Sequence, residues 1–263
     1  MQRRAKIQKK AFTPIDMLAV MAITALSLSV FMPSLQKARE QARNAACISN
    51  LHSWGASFSL YGNDWNQKVC PALVMYVSVI VAWDETLRRY YVDDKIRLCA
   101  SAEKLSTVSV GSGNSYIGSK NSAWHLNTSH RDGTIYHVTG SYGMNIYADY
   151  PVPSVWEPAG SQSLLWHWGR LTVKNGREIP ILGDCDWREA WPSNTDRPRA
   201  TENGNVNSGI DHFNMRRHTR SVNLVFYDSS VRHLLLPDLW KLRWNRNSDP
   251  NQSITTFPAW MTN

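Results

Sequence analysis

Residues Lys9 to Pro33 read KKAFTPIDMLAVMAITALSLSVFMP. From Phe12 to Met32 it is apolar or small apart from one acid, Asp16. At about 1.5 Å per residue a helix of this length reaches about 31 Å, close to the thickness of a bilayer's hydrocarbon core, about 30 Å. We therefore predict a transmembrane helix at residues 12–33. Because a bare Asp at the centre of such a helix costs roughly 2.5–3.5 kcal/mol, Asp16 needs a partner.

The charge distribution indicates how that helix is oriented. The net charge of +8 would by itself suggest nucleic-acid binding. Five basic residues precede the apolar stretch, however, and without them the charge falls from +8 to +3. A basic segment before a membrane helix stays in the cytoplasm, so residues 1–11 are interpreted as a cytoplasmic leader and no nucleic-acid partner is expected. The five are Arg3, Arg4, Lys6, Lys9 and Lys10.

A removable secretory signal is the alternative interpretation of this N-terminus. Such a signal has an apolar region of about 7–15 residues before a cleavage site with small residues. Here the apolar run is longer, carries Asp16, and leads through Pro33 directly into a helical pattern. These features favour an anchor that is retained.

Residues 11–16, AFTPID, follow the basic leader and resemble the class III signal of type IV prepilins and type II secretion pseudopilins. The resemblance implies that prepilin peptidase cuts after Ala11 and N-methylates Phe12. It also implies that the new ammonium of Phe12 pairs with Asp16 of its own or a neighbouring subunit during assembly, and that the helix bends or locally melts at Pro33. Ala11, Pro14 and Asp16 replace the usual Gly, Leu and Glu.

The periodicity after Pro33 predicts an amphipathic helix at residues 34–68, followed by a globular domain at 69–263. Residues 105–135 and 192–209 are predicted to be polar loops because they lack periodicity. Residues 72–83 predict a buried strand, with a core helix as the alternative, and 84–94 a short helix. Further strands are predicted at residues 95–99, 135–140, 163–168, 170–173 and 179–184.

The C-terminal region predicts a hairpin. Residues 222–236, VNLVFYDSSVRHLLL, place two apolar runs around Asp228, and a short helix should open at Pro237. Val222, Leu224 and Phe226 would share one inward face. A long helix followed mainly by antiparallel strands gives an α+β fold.

This region carries a second resemblance. His218, nine residues and then Asp228 are similar to the H-x9-D-G signature of the large prepilin-like proteins of planctomycetes, although Ser229 replaces the Gly. The resemblance covers nearly the whole chain and implies a pilin-like fold, in which a long N-terminal helix packs on a C-terminal antiparallel β-sheet domain with long loops. Because Ser lacks the access of Gly to positive φ, a looser turn is expected at Ser229.

His218 and Asp228 also suggest an acid–base pair. No G-x-S-x-G or H-E-x-x-H motif accompanies them, so we interpret both residues as structural and assign no catalytic residue. Asp228 would close the strand at the turn and accept bonds from the Ser229 or Ser230 amides or from His218, which would stabilise the hairpin. His125, His130, His137 and Asp132 form the densest His cluster, but their spacing fits no defined metal template. No cofactor is expected.

The four cysteines, Cys47, Cys70, Cys99 and Cys185, all follow the anchor. Beyond a membrane, disulfides persist, so at least one is expected, and four cysteines allow three pairings. The spacing does not choose among them. No C-x-x-C occurs, which argues against zinc and against thioredoxin-type redox chemistry.

Two functions remain open. The first is a non-enzymatic pilin-like subunit, anchored in the inner membrane with its N-terminus in the cytoplasm and assembled with other pilin-like subunits into a fibre or secretion pseudopilus. Its bulk would lie in the periplasm or in a surface fibre. The alternative is a monomeric periplasmic protein that uses the same anchor to present a glycan-binding or hydrolytic domain. Because the core-like segments contain several of the Trp residues, packing is their expected role; these are Trp187, Trp191, Trp240, Trp244 and Trp260.

Overall fold

A computed structural model describes most of the chain, and the leader with Phe12 lies outside the described part. The chain divides into two compact units, Met1–Ala42 and Arg43–Asn263. The described residues are 13–76, 79–110, 115–129, 135–150, 164–202, 209–213, 215–252 and 254–262.

One helix dominates the N-terminal part of the chain: α1, Pro14–Asp64 (51 residues). It contains no Gly before Gly55, and it continues through Pro33. It ends where Asn66 and Gln67 adopt positive φ angles of 52° and 59°, a conformation that cannot continue a right-handed helix. The predicted amphipathic segment at 34–68 is therefore helical only to Asp64.

Within the second unit, α1 packs through a single stripe of buried residues. From Cys47 onward its buried residues recur at intervals of one to four, and at about 3.6 residues per turn they fall on one side of the helix. They are Cys47, Leu51, Trp54, Gly55, Ser57, Phe58, Tyr61 and Gly62.

The main sheet has five strands in the order β10-β8-β9-β11-β12. All its pairings are antiparallel except β10 with β8, which is parallel. The strands are β8 (Tyr142–Asn145), β9 (Pro180–Asp184), β10 (Glu189–Ala190), β11 (Ser221–Phe226) and β12 (Val231–Leu235).

Two smaller sheets complete the strand inventory of the described residues. In one, β3, β6, β5 and β4 lie in that order and β7 pairs with β6; the other is a hairpin of β1 and β2. The strands are β1 (Leu73–Tyr76), β2 (Val79–Ala82), β3 (Lys104–Leu105), β4 (Ser109–Val110), β5 (Ser115–Tyr116), β6 (Ser122–Ser129) and β7 (Ile135–Gly140).

Two short α-helices and seven 3-10 helices lie among the described residues. They are α2 (Trp83–Thr86) and α3 (Ala259–Thr262), with the 3-10 helices Asp94–Arg97, Ile146–Ala148, Leu164–Trp166, Gly176–Glu178, Ile210–His212, Leu236–Lys241 and Pro250–Gln252.

The core lies on both faces of the main sheet. Val225 and Tyr227 pack in a cluster with the buried stripe of α1. Val222, Leu224 and Phe226 pack on the other side with the C-terminal segment. The predicted hairpin and its inward face are confirmed, and strand β11 is buried on both faces.

Several sequence predictions are wrong in detail. Residues 72–83 form a hairpin and the start of α2, where one strand was predicted. Residues 95–99 contain a 3-10 helix because the Asp93 side chain accepts a bond from the Lys95 amide, which caps a turn (2.9 Å). Residues 163–168 contain another 3-10 helix, and 170–173 contribute only an isolated bridge from Arg170 to Lys68. The helix predicted at 84–94 ends at Thr86.

The predicted loop at 105–135 contains strands β4, β5 and β6. Their Ser and Asn content hid them, although Trp124 and Leu126 are both buried and two apart, as expected for a strand. Strands β7 and β9 are confirmed where the sequence predicted them, and the helix predicted at Pro237 is present as the 3-10 helix Leu236–Lys241. The fold class is α+β, as predicted.

Candidate functional site

The first half of α1 is apolar around its whole circumference. Its large side chains are exposed on every side, a pattern typical of a helix surrounded by lipid or by other apolar chains. By length and composition this is the one helix among the described residues able to cross a membrane. The exposed side chains are Ile15, Met17, Leu18, Val20, Met21, Ile23, Leu26, Leu28, Val30, Phe31, Met32 and Leu35.

The few hydroxyl groups in this segment bond back to their own helix. Thr24 donates to the carbonyl of Met21 (2.9 Å), and Ser27 donates to that of Ile23 (2.8 Å). Ser29 similarly donates to the carbonyl of Leu26 (2.7 Å). Because lipid offers no hydrogen-bond partners, such internal bonds let the segment sit in hydrocarbon without unsatisfied donors.

Asp16 caps the helix. Its Oδ2 accepts bonds from the Thr13 amide (2.9 Å) and the Thr13 hydroxyl (2.7 Å). The Asp16 amide lies 3.3 Å from Thr13 Oγ1, which completes a reciprocal capping box. The predicted cleavage residues, Ala11 and Phe12, lie outside the described part, so the expected pairing of Asp16 with an amine stays a prediction.

Pro33 lies inside α1. It has no amide hydrogen to donate to the carbonyl four residues earlier, yet the helix is uninterrupted from Ser29 to Lys37. Local melting of the helix is therefore absent at this position. The bend stays a prediction.

In the second unit, His218 pairs with Asp184. The Nε2 of His218 lies 3.2 Å from Asp184 Oδ2, and the two side chains are 2% and 0% exposed. Asp228 bonds instead to Ser230, through the amide (3.0 Å) and the hydroxyl (2.6 Å). Of the partners predicted for Asp228, the Ser230 amide is confirmed. The predicted bond from His218 is absent, because Asp228 lies at the exposed turn of the hairpin while His218 precedes the start of β11.

Asp184 is held ionised by its surroundings. Burial by itself would raise the pKa of Asp184, but His218, Arg217 and the Asn223 amide together lower it below its ordinary value. The Asn223 amide donates to Oδ2 (2.7 Å). Arg217 is fully buried and places NH1 3.5 Å from Oδ1, and its guanidinium also donates to the carbonyls of Ser119 (2.8 Å) and Cys185 (3.3 Å).

The disulfide lies beside this pair. Cys47 of α1 is bonded to Cys99 across 52 residues, and Cys99 Sγ lies 3.4 Å from His218 Nε2. Cys70 and Cys185 are buried free thiols. Burial raises the pKa of both, reinforced mainly by Asp149 for Cys70 and by Asp186 for Cys185. The expected disulfide is therefore present. It joins Cys47 to Cys99, a pairing that the spacing of the four cysteines left open.

The turn at Asp228 is tight. Ser229 adopts a φ of 62°, so the looser turn expected for a residue other than glycine is wrong. Its hydroxyl lies 2.9 Å from that of Ser59 on α1. This contact between the hairpin and the helix helps to hold Ser229 in the left-handed region.

A chain of polar side chains runs from β12 to α1. Ser221 Oγ lies 2.7 Å from His233 Nε2, and His233 Nδ1 lies 2.8 Å from Asn223 Oδ1. Asn223 then donates to Asn44 Oδ1 (2.8 Å). Burial lowers the pKa of His233, and His218 lowers it further, which favours a neutral ring.

The His cluster of the sequence divides into separate contacts. His125 stacks on Tyr116 with ring centroids 4.0 Å apart. His137 Nδ1 lies 2.7 Å from Asn127 Oδ1. His130 and Asp132 lie outside the described residues.

The Trp residues of the core-like segments pack as expected. Trp240 and Trp244 are fully buried, and Trp187, Trp191 and Trp260 pack against the two core clusters.

Asp184, Arg217 and Asn223 form a site that sequence reasoning missed. Asp184 ends an apolar strand and Arg217 precedes His218, but neither position in the sequence indicates that its charge is buried.

The described residues define an α+β protein with one helix long and apolar enough to span a membrane. Comparison with known proteins finds no matching family model, and neither a curated protein nor a solved structure matches significantly.

Proposed function

We propose that this chain is a non-enzymatic, pilin-like subunit similar to type IV prepilins and type II secretion pseudopilins, of the planctomycete H-x9-D-G group. In this proposal the leader stays in the cytoplasm and prepilin peptidase cuts between Ala11 and Phe12. The apolar half of α1 first anchors the subunit in the inner membrane. It then packs against other pilin-like subunits in a fibre or pseudopilus, with the second unit in the periplasm or in the fibre.

The observation that carries the proposal is the difference in side-chain exposure between the two halves of α1. Up to residue 35, large apolar side chains are exposed on all sides. From Cys47, only one stripe is buried. A helix that served only as a domain core would not need the first pattern. A segment exposed all round suits a lipid environment before assembly and contact with neighbouring helices after it.

The Thr13–Asp16 capping box supports a second part of the proposal. It places a carboxylate in the first turn of α1, where the cleaved chain would carry its ammonium at Phe12. An acid inserted without a counter-charge is costly in lipid. A neighbouring amine would offset that cost, and Asp16 would thereby select the position at which each subunit docks.

The test measures processing and assembly in the native membrane. We expect an intact mass that begins at Phe12 with one added methyl group. Asp16→Asn keeps an acceptor for Thr13 but removes the charge, so it should be processed normally and assemble poorly. Thr13→Ala, the matched control, removes the capping hydroxyl but keeps the charge and should assemble. Cleavage near residues 25–35, or normal assembly of Asp16→Asn, would contradict the proposal.

One observation favours the hydrolytic alternative. The chain Ser221–His233–Asn223 has the order of contacts of a serine hydrolase triad, with distances of 2.7 Å and 2.8 Å. Ser221, however, is 2% exposed, and its hydroxyl donates its one proton to the His218 carbonyl, so that proton does not point at His233. Labelling of Ser221 by a fluorophosphonate probe, abolished in His233→Ala, would support hydrolysis. We expect no labelling.

A further inference from the structure

Four side chains with metal-binding atoms converge beside the main sheet. Cys47, Cys99 and His218 place one such atom each within 4.8 Å of one another. Asp184 lies beside this group, because its Oδ2 is 3.2 Å from His218 Nε2. All four are buried, and they come from four parts of the chain: α1, the segment after Asp94–Arg97, the end of β9 and the turn before β11.

We propose that the reduced chain binds one Zn²⁺ through Cys47 Sγ, Cys99 Sγ, His218 Nε2 and Asp184 Oδ2, so that the same cluster holds either the disulfide or the metal. Two thiolates, an imidazole and a carboxylate suit this ion, which prefers tetrahedral sites of sulfur, nitrogen and oxygen. The inference does not depend on the proposed function.

Two distances of the cluster already match a tetrahedral site. Bond lengths of about 2.3 Å to sulfur, 2.05 Å to nitrogen and 2.1 Å to oxygen place a nitrogen about 3.6 Å from a sulfur and about 3.4 Å from an oxygen in a tetrahedral site. The Nε2 of His218 lies 3.4 Å from Cys99 Sγ and 3.2 Å from Asp184 Oδ2. The two sulfurs, which are joined in the oxidised chain, must separate to about 3.8 Å on reduction.

The surroundings also suit a metal. Bound ligands are usually oriented by further hydrogen bonds, and Asp184 Oδ2 already accepts one from the Asn223 amide (2.7 Å). Two thiolates and one carboxylate carry one charge more than Zn²⁺ neutralises. The fully buried Arg217, with NH1 3.5 Å from Asp184 Oδ1, supplies the remaining positive charge. The cluster would therefore be neutral with the metal bound.

The two states interconvert by a balanced reaction. A dithiol reductant breaks the bond between Cys47 and Cys99, supplies two electrons and two protons, and becomes a disulfide itself. Zn²⁺ then displaces both thiol protons as it binds. His218 meanwhile moves its ring proton from Nε2, which faces Asp184, to Nδ1. A chain that meets Zn²⁺ before an oxidant would keep its thiols reduced.

The test titrates Co²⁺, a spectroscopic substitute for Zn²⁺, into the full chain in detergent. Reduced protein should show one equivalent of a thiolate-to-cobalt charge-transfer band, which Zn²⁺ bleaches. The oxidised chain should show none. Cys99→Ser should lose the band. His218→Gln should weaken binding by more than the about 10–100-fold that an outer partner's loss costs. Cys70→Ser and Cys185→Ser, whose thiols lie outside the cluster, are matched controls and should retain it.

A second measurement does not depend on the variants. Zn²⁺ should raise the Tm of the reduced wild-type chain and leave that of the oxidised chain unchanged, because only the former has a site. The inference is overturned if reduced wild-type protein shows neither the band nor a Tm shift. It is also overturned if the band is lost in Cys185→Ser or survives undiminished in His218→Gln.

Discussion

His218 Nε2 lies 3.2 Å from Asp184 Oδ2, and both side chains are almost completely withdrawn from solvent. The pair joins the turn before β11 to the end of β9, and the Asn223 amide and Arg217 surround the carboxylate. A buried carboxylate with these partners stabilises the fold only while all of them remain, since a single unpaired charge is expensive inside a protein.

Asp184→Asn should therefore destabilise the oxidised chain by about 3–5 kcal/mol, because Arg217 loses its buried counter-charge. Asp228→Asn is the matched control. Asp228 is exposed and bonds Ser230 through Oδ1 alone, and Asn keeps that acceptor, so the change should stay within about 0.5 kcal/mol. Urea unfolding of the full chain in detergent measures both. Equal effects of the two substitutions would show that the pairing with Asp184 contributes nothing.

The Asp184 carboxylate should make the free energy of unfolding depend on pH. The pKa of Asp184 is lowered in the folded chain, so its contribution is complete above the pKa of an unfolded Asp, about 3.9. It is lost as the pH falls through the lower, folded pKa. We expect the free energy of unfolding of the oxidised chain to drop below about pH 4, and to drop less in Asp184→Asn. Parallel curves for the two proteins would contradict this.

Two substitutions at Ser229 can distinguish the cost of its strained backbone from the contribution of its side-chain hydrogen bond. A residue other than Gly at φ 62° is strained by roughly 1–2 kcal/mol, while its hydroxyl contacts Ser59 at 2.9 Å. Ser229→Ala loses the bond and keeps the strain; Ser229→Gly loses both. The Gly variant should therefore be more stable than the Ala variant, by about 1 kcal/mol in thermal unfolding. An Ala variant at least as stable would mean that the left-handed turn is not strained.

The cysteines should separate into two classes under alkylation. Peptide mapping of native protein should find Cys47 joined to Cys99. Cys70 and Cys185 should resist iodoacetamide in the folded chain near neutral pH, because both are buried and burial raises the pKa of each thiol. Both should react at once in denaturant. Rapid labelling of either thiol in folded protein, or a bridge between them, would be the contrary result.

Much of the architecture follows from local patterns. The run from Phe12 to Met32 predicts its helix because length and polarity are properties of the sequence alone. The hairpin of β11 and β12 is also predicted by the sequence, since apolar alternation and a turn lie within 15 consecutive residues. By contrast, β4 to β6 were missed because their Ser and Asn content obscures the apolar alternation.

The sequence by itself determined the apolar helix, the α+β class, the C-terminal hairpin and the expectation of a disulfide. The tertiary structure decided which groups meet. His218 contacts Asp184, 34 residues earlier, and Cys99 bonds Cys47 rather than Cys70 or Cys185. The nine residues between His218 and Asp228 suggested that these two side chains bond to each other. The order of the strands in the sheet, rather than the spacing in sequence, decides which side chains lie close together. A buried cluster assembled from four separate segments leaves no contiguous motif, because its chemistry depends on distances that exist only after the chain has packed.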